Sequence, residues 1–131
     1  MSEPYVGEIR MFAGHFAPTN WAFCDGQLMS IADNDALFSI LGTTYGGDGR
    51  TTFALPDLRG QSPAHPGQGP GLTPRTLGER TDFSTVTVLT SVQAERGLGL
   101  NPQALFQAQS RSPYLAVNFI IALVGLFPAR D

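Results

Sequence analysis

The chain has 131 residues, of which 42% are hydrophobic and 15% are charged, a length that fits one domain over residues 1–131. The apolar fraction is enough to build a core and excludes an intrinsically disordered tail. The net charge is −3 without a run of like charges, so we expect no binding to nucleic acid, which depends on neutralising phosphates.

The first predicted element is a strand over residues 7–12. Ile9 and Met11 alternate there with Glu8 and Arg10, so the two pairs fall on opposite faces. A period of two residues is typical of a β-strand.

Residues 20–30 predict a β-hairpin. Trp21 and Phe23 alternate with two small residues, which indicates a strand. The dipeptide Asp25-Gly26 tolerates the positive φ angles of a two-residue hairpin turn, and residues 27–29 form the short return strand.

The next element is a short helix. Asp33 or Asn34 is placed to cap its N-terminus, and Gly42 stands where a helix stop is favoured. The apolar stripe between them consists of Ala36, Leu37, Ile40 and Leu41. A helix of two to three turns needs a sheet to pack on.

Glycine and proline dominate the middle of the chain. Residues 43–50 form a glycine loop, residues 51–55 form a strand, and Pro56 ends it. Residues 60–78 contain five Gly and four Pro, which excludes a regular element. This stretch predicts a long loop arm, over about residues 60–80, that is either mobile or ordered by contacts with something else.

Three further elements follow. Residues 83–90 alternate and predict a strand, and residues 101–109, with a proline at the favoured first position, predict a second helix. The apolar residues 114–127 predict a buried final strand. They number fewer than the ~20 that span a bilayer, so we expect no membrane span. The fold class is therefore mainly β with one or two short helices.

The candidate nucleophiles and metal ligands are few. Cys24 is the sole thiol, and His15 and His65 are the sole imidazoles. Cys24 ends an alternating strand, where a small apolar side chain packed at the sheet edge is the ordinary interpretation. No CxxC, HxH or HExxH spacing occurs. We therefore predict no catalytic, cofactor-binding or metal-binding residue and no cofactor.

The carboxylates are typical of turns. Asp33 and Asp35 are two residues apart at a helix start and point in different directions. Asp25, Asp48 and Asp57 each stand beside glycine or proline, where aspartate stabilises turns. The sequence leaves open whether Asp48 and Asp57 converge in space, as the paired acids of a glycan hydrolase do.

The glycine loop and the aromatic residues are the two candidate ligand-binding features of the sequence. The loop at residues 46–52 lacks the GK[ST] ending of a phosphate cradle and follows a helix, so it predicts a tight loop that returns Arg50 toward the body. The sequence leaves open whether any of the 13 aromatic residues forms an exposed platform for sugars or bases.

Taken in order, the motifs resemble the phage tail collar domain, and the C-terminal part is similar to the microcystin-dependent-protein group of tail-fibre-like proteins. The resemblance is specific over about residues 5–60 and 113–128 and poor over residues 80–112. The motifs are GEIRMFAG (7–14), WAFCDGQL (21–28), ALFSILGTTYGGDG (36–49), TFALPDLRG (52–60) and PYLAVNFIIAL (113–123).

The resemblance implies a small collar-type β domain with a structural or adhesive role in a tail fibre or fibre-like surface assembly. It implies a module that is often trimeric, contacts a partner or host surface, and has no catalytic residue. Some relatives carry a His-x-His metal site before the final strand. This chain has no histidine after His65, so that site is not carried over.

We therefore expect a homo-oligomer, with a trimer favoured, in a virion tail or an extracellular or cell-surface assembly. The expected partners are a cell-surface glycan or a tail or fibre protein. The first residues lack a basic start followed by an apolar core, which predicts no secretory signal peptide. The alternatives are a stand-alone carbohydrate-binding adhesin and a glycan hydrolase that uses Asp48 and Asp57.

Overall fold

The computed structural model describes residues 3–81, 85–88, 106–109 and 113–130. The chain divides into two compact units, a first unit of Met1–Glu79 with Ala116–Asp131 and a second unit of Arg80–Leu115. Its strands and its helix, over the described residues, are β1 (Ile9–Phe12), β2 (Trp21–Phe23), β3 (Leu28–Ser30), α1 (Asp35–Leu41), β4 (Thr52–Ala54), β5 (Thr85–Val88), β6 (Phe106–Gln109) and β7 (Asn118–Ala122). The mainly β prediction is confirmed, and the single-domain arrangement stays a prediction.

The first unit contains a three-stranded sheet in the order β1-β7-β2. Both outer strands run antiparallel to β7, with Ile121 opposite Ile9 of β1 and opposite Ala22 of β2. The strand predicted over residues 7–12 is confirmed for β1. The buried strand predicted over residues 114–127 is confirmed only for β7, because Tyr114, Leu115 and Phe127 lie outside the strand and are exposed.

The predicted hairpin over residues 20–30 is wrong. Its two strands exist, but β2 pairs with β7, whereas β3 pairs with β4 in a separate sheet. Asp25-Gly26 instead links the two sheets, and the Gly26 N–H donates to the carbonyl of Pro56 at 3.2 Å. The dipeptide Asp25-Gly26 indicates only that the chain turns. The strands that pair with β2 and β3 are β7 and β4, which come later in the chain.

The predicted helix is confirmed as α1. Asn34 is its N-cap residue, but its side chain forms no cap and instead donates to the carbonyl of Ser30 at 3.0 Å. The Gly42 N–H closes the last turn on the carbonyl of Phe38 at 2.7 Å, and Leu37 is fully buried. Among the described residues, no helix combines the length and hydropathy needed to cross a membrane.

The core of the first unit lies between the sheet, α1 and β4. Ala22 of β2 packs against this core, whereas Trp21 and Phe23 lie on the opposite face because side chains alternate along a strand. The rings of Phe38 and Phe53 pack against each other at an interplanar angle of 56°, with a centroid distance of 5.5 Å. The buried cluster consists of Val6, Cys24, Leu37, Phe53, Leu55 and Ile121.

The loop arm at residues 60–78 contains no helix or strand, as predicted. It nevertheless has local order, because Gly67 and Arg75 exchange two backbone hydrogen bonds of 2.7 and 2.9 Å. Leu72 and Leu77 are exposed on it. The arm thus presents apolar side chains on a backbone that is held by its own contacts.

The second unit contains the antiparallel pair β5 and β6, with Val88 opposite Phe106. The strand predicted over residues 83–90 is confirmed for β5, and its other residues lie outside the described ones. The helix predicted over residues 101–109 is wrong over Phe106–Gln109, which form strand β6. The pairing of this segment with β5 overrides the local preference for a helix. Residues 101–105 lie outside the described residues.

The first and last segments of the first unit run side by side. Tyr5 and Leu126 form a parallel bridge, in which the Val6 N–H donates to the Leu126 carbonyl and the Leu126 N–H donates to the Pro4 carbonyl, both at 2.9 Å. The unit is therefore closed by a contact between its two ends as well as by β7.

We expect Leu37→Ala to lower the free energy of unfolding by about 2–5 kcal/mol, because it leaves a cavity where α1 meets the core. Urea unfolding followed by the fluorescence of Trp21, the sole tryptophan, measures this change. Leu28→Ala is the matched control, because Leu28 is exposed on β3. Equal losses in the two variants would show that α1 is not docked as described.

Candidate functional site

Cys24 lies in the core and not in a reactive site. Its side chain is buried, and its backbone joins the sheet to the following loop through the Cys24 N–H on Phe119 and the Leu58 N–H on the Cys24 carbonyl. Burial, together with the nearby charge of Asp25, raises the pKa of the Cys24 thiol to about 11. The predicted packing role of Cys24 is confirmed.

We expect the Cys24 thiol to resist labelling in the folded protein. At pH 8 the raised pKa keeps it protonated, and its burial blocks access by a disulfide reagent. Release of the coloured thiolate from an aromatic disulfide should be absent from native protein and complete in guanidinium chloride. Rapid labelling without denaturant would contradict the buried placement.

His15 and His65 are both exposed. Among the residues that the structure describes, no group of three or more His, Cys, Asp and Glu side chains is arranged to hold a metal ion. The absence of catalytic, cofactor-binding and metal-binding residues stays a prediction.

Asp48 holds the glycine loop together. Its Oδ1 accepts the backbone N–H groups of Arg50, Thr51 and Thr52 at 2.8, 2.9 and 3.0 Å. These hydrogen bonds, that of Thr52 first, hold the pKa of the Asp48 carboxyl well below its usual range. The loop that resembles a phosphate cradle therefore directs its N–H groups at its own carboxylate.

The chain also folds back closely over this loop. A Cβ on Gly47 would lie 2.4 Å from the Cα of Phe53, and the φ of Gly47 is +93°. Only glycine fits such a close backbone approach with a positive φ. The glycine loop is thus required by the packing of β4.

We expect Asp48→Ala to lower the melting temperature at pH 7 more than Asp48→Asn, which keeps one acceptor oxygen for the three N–H groups. The carboxylate has a lowered folded pKa, so it stabilises the fold above its unfolded pKa of about 3.9 and loses this effect as the pH falls below that value. Both variants should therefore lose less stability than the wild type on acidification.

Melting curves between neutral and acidic pH, followed by circular dichroism, test this expectation. Asp33→Asn serves as the control, because Asp33 is exposed and its side chain forms no hydrogen bond or ion pair with any residue that the structure describes. An acid response of Asp48→Asn equal to that of the wild type would contradict the role of the Asp48 carboxylate.

Asp57 lies at the sheet joint, by which we mean the contact of residues 25–26 with residues 56–57 between the two sheets. It forms a bridge with Asp25, and its carboxylate accepts both Nε and Nη2 of Arg59 at 2.9 Å. A Cβ on Gly26, whose φ is +73°, would lie 2.9 Å from the Cβ of Asp57. The turn role predicted for Asp25 and Asp57 agrees with this joint.

The outer face of the three-stranded sheet carries aromatic residues. The guanidinium of Arg10 lies 5.2 Å from the ring centroid of Trp21, and Arg10 forms an ion pair with Glu8. This ion pair lowers the pKa of the Glu8 carboxyl. Arg10 therefore covers one face of the Trp21 ring, which leaves that ring face closed to a stacked sugar or base.

Apolar side chains are nevertheless exposed in many places on the first unit. Met11 of β1 and Phe16 in the following loop are 71% and 72% exposed. Tyr5 and Leu126 expose a second apolar area where the two ends run together. Extensive exposed apolar surface is typical of proteins that contact other chains.

The two edges of the sheet differ. Along β7, Ala122 exchanges backbone hydrogen bonds with Gly7 and Glu8, just before β1, whereas the Phe119 carbonyl accepts the N–H of Cys24, just after β2. This alternation turns the N–H and C=O groups of Ile9 and Met11 away from β7. We call these outward groups the open edge of β1, because no described residue bonds to them.

The opposite edge, on β2, is closed by the chain itself. The Trp21 N–H donates to the carbonyl of Pro18 at 3.0 Å. The carbonyl of Phe23 accepts Nε2 of Gln27 at 2.9 Å. An edge blocked in this way cannot readily pair with a further strand.

The family model of the Phage Tail Collar Domain matches residues 7–63. The resemblance to the phage tail collar domain is confirmed there. This collar segment contains β1 to β4, α1 and Asp48, whereas β7, which completes its sheet, lies outside the match.

Among curated proteins, the chain is similar to the short tail fiber protein gp12 of Enterobacteria phage T4. The two are 39% identical over 79 residues, which are 60% of this chain and 15% of gp12. The chain thus matches a small part of that longer protein. The finer resemblance to microcystin-dependent proteins stays a prediction.

Sequence reasoning found the turn residues but missed two features of the surface. The open edge of β1 depends on β7, whose pairing partners no local pattern identifies. The cover that Arg10 places over Trp21 depends on two strands that are separated by β7. The Asp48 loop, in contrast, has a local signal, because an aspartate among glycines is typical of such turns.

Proposed function

We propose that the protein is a non-enzymatic structural module of a phage tail fibre or fibre-like surface assembly. The match of residues 7–63 to the phage tail collar domain carries this proposal, and the similarity to gp12 supports it. The proposed location is a virion tail or an extracellular or cell-surface assembly.

The contacts of the acidic residues support a structural role over a catalytic one. The carboxylate of Asp48 accepts three backbone N–H groups, and that of Asp57 accepts the guanidinium of Arg59. A general acid needs a proton at working pH, whereas the pKa of the Asp48 carboxyl is lowered. Both residues thus act as loop and joint supports.

The proposed module acts by assembling with copies of itself, with a trimer favoured. Met11, Phe16 and Tyr5 expose apolar surface on the first unit, and Leu72 and Leu77 do so on the loop arm. Burial of such surface in an assembly stabilises it by about 25 cal/mol per Å². Copies of the same chain, or a tail or fibre protein, would provide this burial.

We expect the full chain to form a homo-oligomer at micromolar concentration. Light scattering behind a sizing column measures its mass, and the expected value is three times 14.0 kDa or a multiple of that mass. The reason is the exposed apolar surface, which association would remove from water. A monomer at every concentration tested would overturn self-assembly.

A glycan array then separates the proposed module from the stand-alone adhesin. Reproducible glycan binding by a monomer would favour the adhesin, whereas an oligomer without glycan binding supports the structural module. Heat-unfolded protein is the control for nonspecific adhesion to the array.

A further inference from the structure

The open edge of β1 has the character of a strand-pairing site. Ile9 and Met11 turn their N–H and C=O groups outward, and their side chains are 40% and 71% exposed. Single-chain proteins usually protect a sheet edge with a bulge, a proline, a charge or a covering segment. The β2 edge has such a cover in Pro18 and Gln27, whereas the β1 edge has, among the described residues, only the charges of Glu8 and Arg10, which pair with each other.

We propose that the open edge of β1 pairs with the β1 strand of a second copy of this chain. The pairing is antiparallel and centred on Arg10, so that Ile9 of each copy lies opposite Met11 of the other. Each of these pairs exchanges two backbone hydrogen bonds, because both residues turn their backbone groups outward. Two three-stranded sheets then become one sheet of six strands.

The side chains of β1 favour a second copy as the occupant. In this register, Ile9 meets Met11 on one face, so apolar surface covers apolar surface at both ends of the contact. On the other face, the two Arg10 residues lie opposite each other. Each is paired with its own Glu8, which also lies diagonal to the neighbouring Arg10 and offsets the repulsion between the two guanidinium groups.

The closed edge of β2 determines where this pairing stops. A sheet with two open edges adds further copies without limit and forms a filament. Here Pro18 and Gln27 occupy the outward groups of Trp21 and Phe23. Pairing through β1 therefore ends at two copies, related by a two-fold axis.

This inference rests on the proposal that the chain assembles with copies of itself, and it adds a contact of two-fold symmetry. A ring of three chains contains no such contact, so trimers joined through β1 form a hexamer. Without the three-fold contact, β1 pairing gives a dimer. The assembly state therefore distinguishes the two proposals.

The test is Met11→Pro in the full chain. Proline removes the outward N–H of residue 11 but no hydrogen bond to β7, so an edge strand tolerates it. We expect it to weaken the two-fold contact about tenfold or more, since each assembly loses two backbone hydrogen bonds. Met11→Ala is the matched control, because it removes the side chain and keeps the N–H.

Sedimentation velocity over a wide concentration range measures the assembly, and Trp21 fluorescence confirms folding. A dimer or hexamer that Met11→Pro splits in half, and that Met11→Ala splits less, supports the inference. A trimer, or an even-numbered assembly that Met11→Pro leaves intact, overturns β1 pairing and leaves the proposed function standing. A wild-type monomer overturns both self-assembly and β1 pairing.

Hydrogen exchange gives a second readout if Met11→Pro does not fold. The backbone amides of Ile9 and Met11 should be protected in the assembled wild type and should exchange rapidly after dilution to monomers. Met11→Lys, which places a charge at the edge, should remove this protection. Rapid exchange at both amides in the assembled protein would overturn β1 pairing.

Discussion

β7 forms the middle strand of the three-stranded sheet, and the first unit depends on its pairing with β1 and β2. It supplies Ile121 to the core, and on the other face Ile120 and Ala122 are also buried. The collar segment at residues 7–63 lacks this strand, which follows the whole second unit. The entropic cost of closing a loop grows slowly with its length, so the fold tolerates a long excursion before β7 returns.

The polar residues of the collar segment have structural roles that explain its composition. The carboxylate of Asp48 accepts three backbone N–H groups in the glycine loop. The ion pair of Asp57 with Arg59 stabilises the sheet joint beside Gly26. Such contacts replace regular secondary structure as partners for backbone groups. The abundance of glycine and aspartate thus follows from a fold in which short elements are connected by ordered loops.

The sequence predicted those features that depend on local chemistry. The helix ending at Gly42, the loop arm and the turn role of Asp48 all follow from residues that are neighbours in the chain, and the structure agrees at each. The hairpin after Trp21 was wrong, since Asp25-Gly26 is compatible with any tight connection and does not select the partner strand. The helix predicted up to Gln109 failed for a similar reason, because β5 pairs with this segment across a long separation.

The arrangement at the ends of the first unit has a mechanical consequence. Residues 4–6 and Leu126 run in the same direction and share two backbone hydrogen bonds. A force that pulls residue 4 backward and residue 127 forward acts along these segments and across their hydrogen bonds. Both bonds then bear the load together in shear and do not open one after the other. A tensile force along the chain therefore acts first on these two hydrogen bonds and only then on the sheet and the core.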